Sequence, residues 1–229
     1  MNLMYNIPRI SILIILALYI PSCKKDPIVE NNTEHDRYII EMNSEYRLSR
    51  VTHIVNNTVG YEKSYEYSEK FVNVQTKYSS LTSSLTYFLN QNGLADSCHD
   101  GSSTMQYHYD QNSYLTSYSN IYGTIIYFEY ANGNMIDLNM GTYRSYCQYN
   151  SQINLIDIDS FNGTYLGKLN KNLLQSRRNE YMMASNGSTT TYQYTLNSSG
   201  LVTSRIGITT YNRGPQNKSI SEFEYIINK

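Results

Sequence analysis

Apolar and polar residues alternate with a period of two along most of the chain. The clearest runs are Tyr65-Glu66-Tyr67, Tyr107-His108-Tyr109, Phe128-Glu129-Tyr130, Tyr192-Gln193-Tyr194 and Phe223-Glu224-Tyr225. Successive side chains of a strand point to opposite faces, so each run predicts a strand with rings on one face and polar groups on the other. No stretch carries a 3.6-residue period with capping residues, and helices are not expected.

The runs come in pairs. Tyr65-Glu66-Tyr67-Ser68 leads to Phe71-Val72-Asn73-Val74, Tyr87-Phe88-Leu89-Asn90 to Leu94, and Tyr107-His108-Tyr109-Asp110 to Tyr114-Leu115. Phe128-Glu129-Tyr130 leads to Met135-Ile136, Tyr146-Cys147-Gln148-Tyr149-Asn150 to Ile153-Asn154-Leu155-Ile156, and Tyr192-Gln193-Tyr194 to Leu201-Val202. The first units succeed one another at about 20 residues, enough for two short strands and two connections. Asn-Gly pairs at 92–93, 132–133, 162–163 and 186–187 supply the positive φ of tight hairpin turns. The expected fold is all-β, an antiparallel meander of hairpin repeats over residues 36–229 forming one large curved sheet or partial barrel. Between Tyr149 and Tyr194 the pattern lapses, with Gly167-Lys168-Leu169-Asn170-Lys171-Asn172-Leu173 as a degenerate unit.

Ahead of the repeats lies a different composition. Ile10 to Ile20 is apolar, comes after a single positive charge at Arg9, and runs straight into Pro21-Ser22-Cys23-Lys24-Lys25-Asp26. A spanning helix needs roughly 20 apolar residues, so this shorter run predicts a signal peptide over residues 1–22. Ser22 before Cys23, with Ile20 two positions further back, resembles the lipobox of bacterial lipoproteins. That resemblance implies cleavage ahead of Cys23, a diacylglyceryl group on its sulfur, and an outer-membrane address on the surface or the periplasmic face. Residues 23–35 are polar and without period, and are expected to be a flexible tether.

The hairpin pattern (Tyr-x-Tyr-Asp/Asn, then Gly or Asn, then Leu) resembles the YD-type repeats of bacterial surface proteins. With the lipobox and the Tyr-rich last strand, residues from about 45 to 229 are similar to a Bacteroidetes lipoprotein family of unknown function. The resemblance implies a porin-like fold and carries no catalytic residues. The faces opposite the tyrosines hold Glu, Gln, His and Thr, whereas a lipid-facing strand needs about 9–11 residues with every second one apolar. The expectation is a protein anchored to a membrane through lipid on Cys23 and not threaded through it.

Composition narrows the function classes. Eighteen basic and nineteen acidic residues leave a formal net charge of −1. A nucleic-acid partner would call for a basic stripe, and none is present. There are 25 Tyr, 5 Phe and no Trp. Tyr suits half-buried sheet faces, and an open concave sheet of tyrosines can stack on sugars or on a partner's side chains. Tyr107, Tyr109, Tyr130, Tyr149, Tyr192 and Tyr194 are the candidate binding surface, weighed against plain cross-strand packing.

Other candidates are weaker. Cys98-His99-Asp100 holds nucleophile, base and acid, but neighbours on a strand or turn splay apart and cannot form a relay. Cys98 and Cys147 are the cysteines beyond Cys23. The exported address permits a disulfide between them, and two reduced thiols are the alternative. Asp157-Ile158-Asp159-Ser160-Phe161-Asn162-Gly163 begins like a calcium loop but lacks the third oxygen ligand and the closing Glu. Alternating carboxylates on a solvated strand face are the simpler account, and no metal or cofactor is expected. The chain is expected to be a monomeric binding module for a glycan or an envelope protein, with a polysaccharide hydrolase or a pure scaffold as alternatives.

Overall fold

A computed structural model describes residues 33–120, 122–181 and 184–228; the leader, Cys23 and most of the tether lie outside them. Among the described residues are fifteen strands: β1 (Thr33–Met42), β2 (Leu48–Val55), β3 (Thr58–Tyr67), β4 (Phe71–Tyr78), β5 (Thr82–Leu89), β6 (Ala95–His99), β7 (Thr104–Tyr109) and β8 (Leu115–Ser119), then β9 (Ile125–Ala131), β10 (Asn134–Asn139), β11 (Tyr143–Ile153), β12 (Asn172–Tyr181), β13 (Ala184–Leu196), β14 (Val202–Tyr211) and β15 (Asn217–Ile227). Each pairs antiparallel with its sequence neighbour, and β15 returns to β1, so the sheet closes into a barrel. In an antiparallel meander the first and fifteenth strands run the same way, so the closing pair is parallel, from Thr33 beside Lys218 to Met42 beside Ile227. Closure removes both open edges that a curved sheet would leave. It also draws Thr33–His35, assigned to the tether, into β1.

The turns explain why Asp or Asn comes after the Tyr-x-Tyr runs. The Asn90 carboxamide oxygen accepts from the amides of Asn92 and Leu94 at 2.9 and 3.1 Å. Asp110 holds Asn112 and Tyr114 in the same way, and Asn197 holds Ser199 and Leu201. Asn43 and Asn120 repeat the arrangement outside those runs. One short polar side chain thus satisfies two turn amides that would otherwise need water. The residue three places on takes positive φ, by Gly93 and Gly200 at 74° and 79°, and by Ser113 at 68°.

Two of the four Asn-Gly pairs make turns as expected. Asn92-Gly93 turns β5 into β6, and Asn132-Gly133 turns β9 into β10 with both residues at positive φ. Asn186-Gly187 instead lies inside β13, and Asn162-Gly163 lies between β11 and β12. The expected hairpin from Tyr146 to Ile156 is also absent, since β11 runs unbroken from Tyr143 to Ile153.

The lapse in the repeat lies between β11 and β12. The β1–β2, β3–β4, β5–β6, β7–β8, β9–β10 and β13–β14 turns share one end of the barrel. The chain leaves β11 at that end and folds into the lumen before returning as β12. This plug includes a single 3-10 turn, Thr164–Leu166. Ile158, Phe161 and Tyr165 are at most 4% exposed and join the wall residues Ile40, Val51, Val72 and Ala95 in one core. Backbone bonds pin the plug to the rim, from the Lys168 amide to the Ser113 carbonyl and from the Lys171 amide to the Gly133 carbonyl, both at 2.9 Å. Gly167 is required beside the first of these. Its φ is +100°, and a Cβ there would sit 2.8 Å from the Ser113 carbonyl oxygen.

Candidate functional site

The register sends one face of every strand into the lumen. Tyr107 pairs with Tyr118 across β7 and β8, and Phe128 pairs with Leu138 across β9 and β10. Together with Tyr87 and Tyr165 these residues build a ladder of rings. Tyr165 lies 4.8 Å from Tyr87, Tyr87 6.1 Å from Tyr107, Tyr107 5.5 Å from Tyr118, and Tyr118 6.0 Å from Phe128. Tyr87, Tyr107, Tyr118 and Phe128 of the ladder, with Tyr130, wall a cavity of about 530 Å³ between the plug and the β5–β10 side of the barrel. That volume falls within the roughly 300–1,000 Å³ of small-molecule sites.

The plug and β12 supply the polar lining: Asp157, Asp159, Ser160, Asn162, Lys168, Asn170 and Arg177. Most of this is already engaged. Asp159 accepts from the Arg205 guanidinium at 2.6 Å, and Lys63 donates to the Ser160 carbonyl at 3.1 Å. Asp157 accepts from the Ser160 hydroxyl and from the amides of Asp159 and Ser160, while the Asn170 carboxamide takes the Met135 amide at 2.7 Å. Arg177 differs, because its buried Nε has no hydrogen-bond partner among the described residues. Burial is the largest single influence and penalises its charge, but Asp159, Cys147 and Tyr192 together outweigh it and hold its pKa above the ordinary arginine value.

A smaller cavity of about 260 Å³ opens at the plugged end, between the β1–β2 turn and the plug. Tyr46, Arg47, Tyr67 and Leu155 line it, and it shares Asp157, Asn162, Gly163 and Leu169 with the larger one. The plug is therefore a common wall between two chambers.

All six candidate tyrosines face the lumen, and they divide by use. Tyr107 and Tyr130 line the large cavity. Tyr109 and Tyr194 donate their hydroxyls to the carbonyls of Ala95 and Leu174, at 2.9 and 2.7 Å, and serve the wall. Tyr192 lies under the Arg205 guanidinium at 5.5 Å, and burial, ahead of the nearby Cys147, raises the Tyr149 pKa. The open concave surface expected from the sequence is an enclosed lumen. Tyr87, Tyr118 and Phe128 belong to the site as well, and their pairing with inward-facing neighbours is the signal that would have placed them.

The remaining candidates separate. Cys98 points inward against Tyr87 and Tyr107, His99 points outward beside Thr104, and Asp100 caps the β6–β7 turn by accepting from Ser102 and Ser103. Cys98 and Cys147 are both free and buried, on β6 and β11, five strand steps apart around the wall. Asp157 and Asp159 do not lie on a solvated strand face; they sit in the plug. Among the described residues no three of His, Cys, Asp or Glu come together as metal ligands do.

The closed barrel has a counterpart among solved structures. A porin-like protein from Bacteroides uniformis ATCC 8492 matches with a TM-score of 0.53 over 78% of this chain and 84% of that one. The fold is porin-like. At 20% sequence identity the likeness extends to the fold alone. A porin-like protein from Bacteroides vulgatus ATCC 8482 matches over 75% of this chain and 71% of its own, at 12% identity and a TM-score of only 0.21. No family model matches the sequence, and no curated protein matches it. In this porin-like barrel the lumen is occupied by its own plug, and the cavity beside the plug is the candidate site.

Proposed function

We propose that the protein is a lipid-anchored module of the cell envelope that binds a saccharide in the lumen cavity, and that its barrel does not span the membrane. The observation that carries the binding reading is the set of five rings, Tyr87, Tyr107, Tyr118, Phe128 and Tyr130, facing a polar plug across about 530 Å³. Sugars present C–H faces to rings and hydroxyls to amide and carboxylate groups, and this cavity offers both.

Two features support a barrel held outside the bilayer. Strands β6 and β8 have five residues each and β7 and β10 six, against the roughly 9–11 that a crossing strand needs. The outward positions Glu66, Gln75, Lys77, Gln106, His108, Glu222 and Glu224 are exposed, where lipid would demand apolar side chains. The lipid on Cys23 is then the proposed membrane contact.

Hydrolysis is a second reading with one observation in its favour. Asp157 and Asp159 line the same cavity, and burial raises the Asp157 carboxyl pKa, as a general acid requires. Against it, Asp159 is held by Arg205 and Asp157 by its own turn.

The test is an oligosaccharide panel titrated into the mature protein and read by calorimetry, with reducing-sugar release monitored in the same samples. Micromolar binding by at least one member is expected, weakened about tenfold in Tyr130→Ala, with no sugar released. Failure of the whole panel at about millimolar concentration would remove the binding reading. Sugar release lost in Asp157→Asn would replace it with the hydrolase.

A further inference from the structure

We infer that the lumen cavity selects an acidic saccharide, one whose carboxylate pairs with the guanidinium of Arg177. This selectivity deepens the saccharide reading and rests on it. Its basis is the hydrogen-bonding capacity that the cavity leaves unused.

The two carboxylates are spent. Asp159 is paired with Arg205 from β14, and the Asp157 oxygens accept from Ser160 and two backbone amides. Lys63, reaching in from β3, is spent on the Ser160 carbonyl. Lys168 is exposed and stands over the Tyr114 ring at 5.4 Å. Asn170 is turned to the Met135 amide. That leaves Arg177, which lines the cavity and has no ion-pair partner among the described residues, while its occluded Nε also goes without an acceptor. A buried charged donor without an acceptor is costly, and native structures rarely leave one without a reason. A ligand supplies the missing counter-charge, and a carboxylate suits a guanidinium better than a hydroxyl does, in charge and in planar geometry.

The surroundings agree with that choice. Cations reach the plug tip from three wall strands, Lys63 on β3, Arg177 on β12 and Arg205 on β14, against the two carboxylates Asp157 and Asp159. The balance at the tip is one positive charge in excess before any ligand arrives. The rings of Tyr107, Tyr118, Phe128 and Tyr130 line the same cavity and offer stacking faces to the sugar that carries the acid.

The test compares trigalacturonate with its fully methyl-esterified form, which keeps the sugar rings and removes the charges. Calorimetry on the mature protein is expected to show the acid binding about ten- to a hundredfold more tightly. Arg177→Met is expected to bring the two ligands to within about threefold of each other, with binding of the ester retained. Arg177→Lys keeps a cation and is expected to keep part of the preference, which separates loss of charge from misfolding. Equal affinities in the wild type, or a preference that survives Arg177→Met, would overturn the inference and leave saccharide binding standing. Binding of neither ligand, together with a blank neutral panel, would remove both.

Discussion

Replacing Phe161 by alanine is expected to lower the unfolding free energy by about 3–5 kcal/mol, the usual cost of emptying a buried phenylalanine site. Phe161 is 4% exposed, and its ring centroid lies 5.2 Å from that of Tyr38 on β1. Its carbonyl accepts from the Tyr65 hydroxyl at 2.5 Å, and its amide bonds the Asp157 carbonyl at 2.8 Å. Phe161 is therefore the point at which the plug is fastened to two wall strands, by its ring to β1 and by its carbonyl to β3. The backbone pulls the other way, because φ at Phe161 is 51°, a left-handed value that a side chain tolerates poorly. Phe161→Gly relieves that strain and is expected to cost no more than Phe161→Ala despite glycine's entropy. The check is a urea denaturation series with Tyr122→Ala as control, since Tyr122 is 85% exposed and its removal should stay within about 0.5 kcal/mol. If Phe161→Ala moved the midpoint no further than Tyr122→Ala, the plug would not be part of the core.

The second large effect is alkaline unfolding. Burial pushes Tyr61, Tyr67 and Tyr130 up to about 12, from an ordinary value of 10.0, and at Tyr67 it does so against the lowering influence of Arg47. Tyr65, Tyr87 and Tyr165 are 8%, 6% and 4% exposed, and burial raises them further still. In the unfolded chain these phenols release protons from about pH 10, while in the fold they hold them. The unfolded state then binds fewer protons, so stability is complete below about pH 10 and falls as pH rises above it. Each such tyrosine contributes up to about 1.4 kcal/mol per pH unit. The three most buried rings together give about 4 kcal/mol per unit, which consumes an ordinary stability of about 5–15 kcal/mol within a few units. The buried share of the tyrosinate absorbance is expected to rise in one cooperative step, coincident with loss of the β-sheet circular dichroism. A smooth titration of all the tyrosines near pH 10, with the dichroism intact, would contradict the enclosed lumen.

Much of the wall was legible because its signals are local. Tyr-x-Tyr fixes which face of a strand is apolar, and an Asn or Asp at the strand's end supplies the oxygen that closes the turn, as at Asn90, Asp110 and Asn197. Closure was not legible. It depends on Thr33–Met42 meeting Asn217–Ile227, a pairing between the two ends of the described chain that leaves no trace in either segment. The polar start of β1, Thr33-Glu34-His35, reads as tether for the same reason. The plug was hidden by a misleading period. Ile156-Asp157-Ile158-Asp159 alternates like a strand, yet its carboxylates serve a turn and an ion pair inside the barrel. Of the site, the inward tyrosines could be read and Arg177 could not, since Ser176-Arg177-Arg178 gives no hint which arginine faces the lumen. That choice is made by register, with Cys147 opposite Arg177 and Tyr146 opposite Arg178.

A porin-like fold invites the expectation of a pore, while the short strands β6, β7, β8 and β10 and the plugged lumen support the proposed barrel held outside the bilayer. The most direct test is Cys23→Ser expressed with its leader, assayed for membrane partition after an alkaline carbonate wash and for conductance in a planar lipid bilayer. A barrel held outside the bilayer predicts that the variant is released to the soluble fraction and carries no current. Retention in the membrane after the wash, or steady ion conductance, would contradict it.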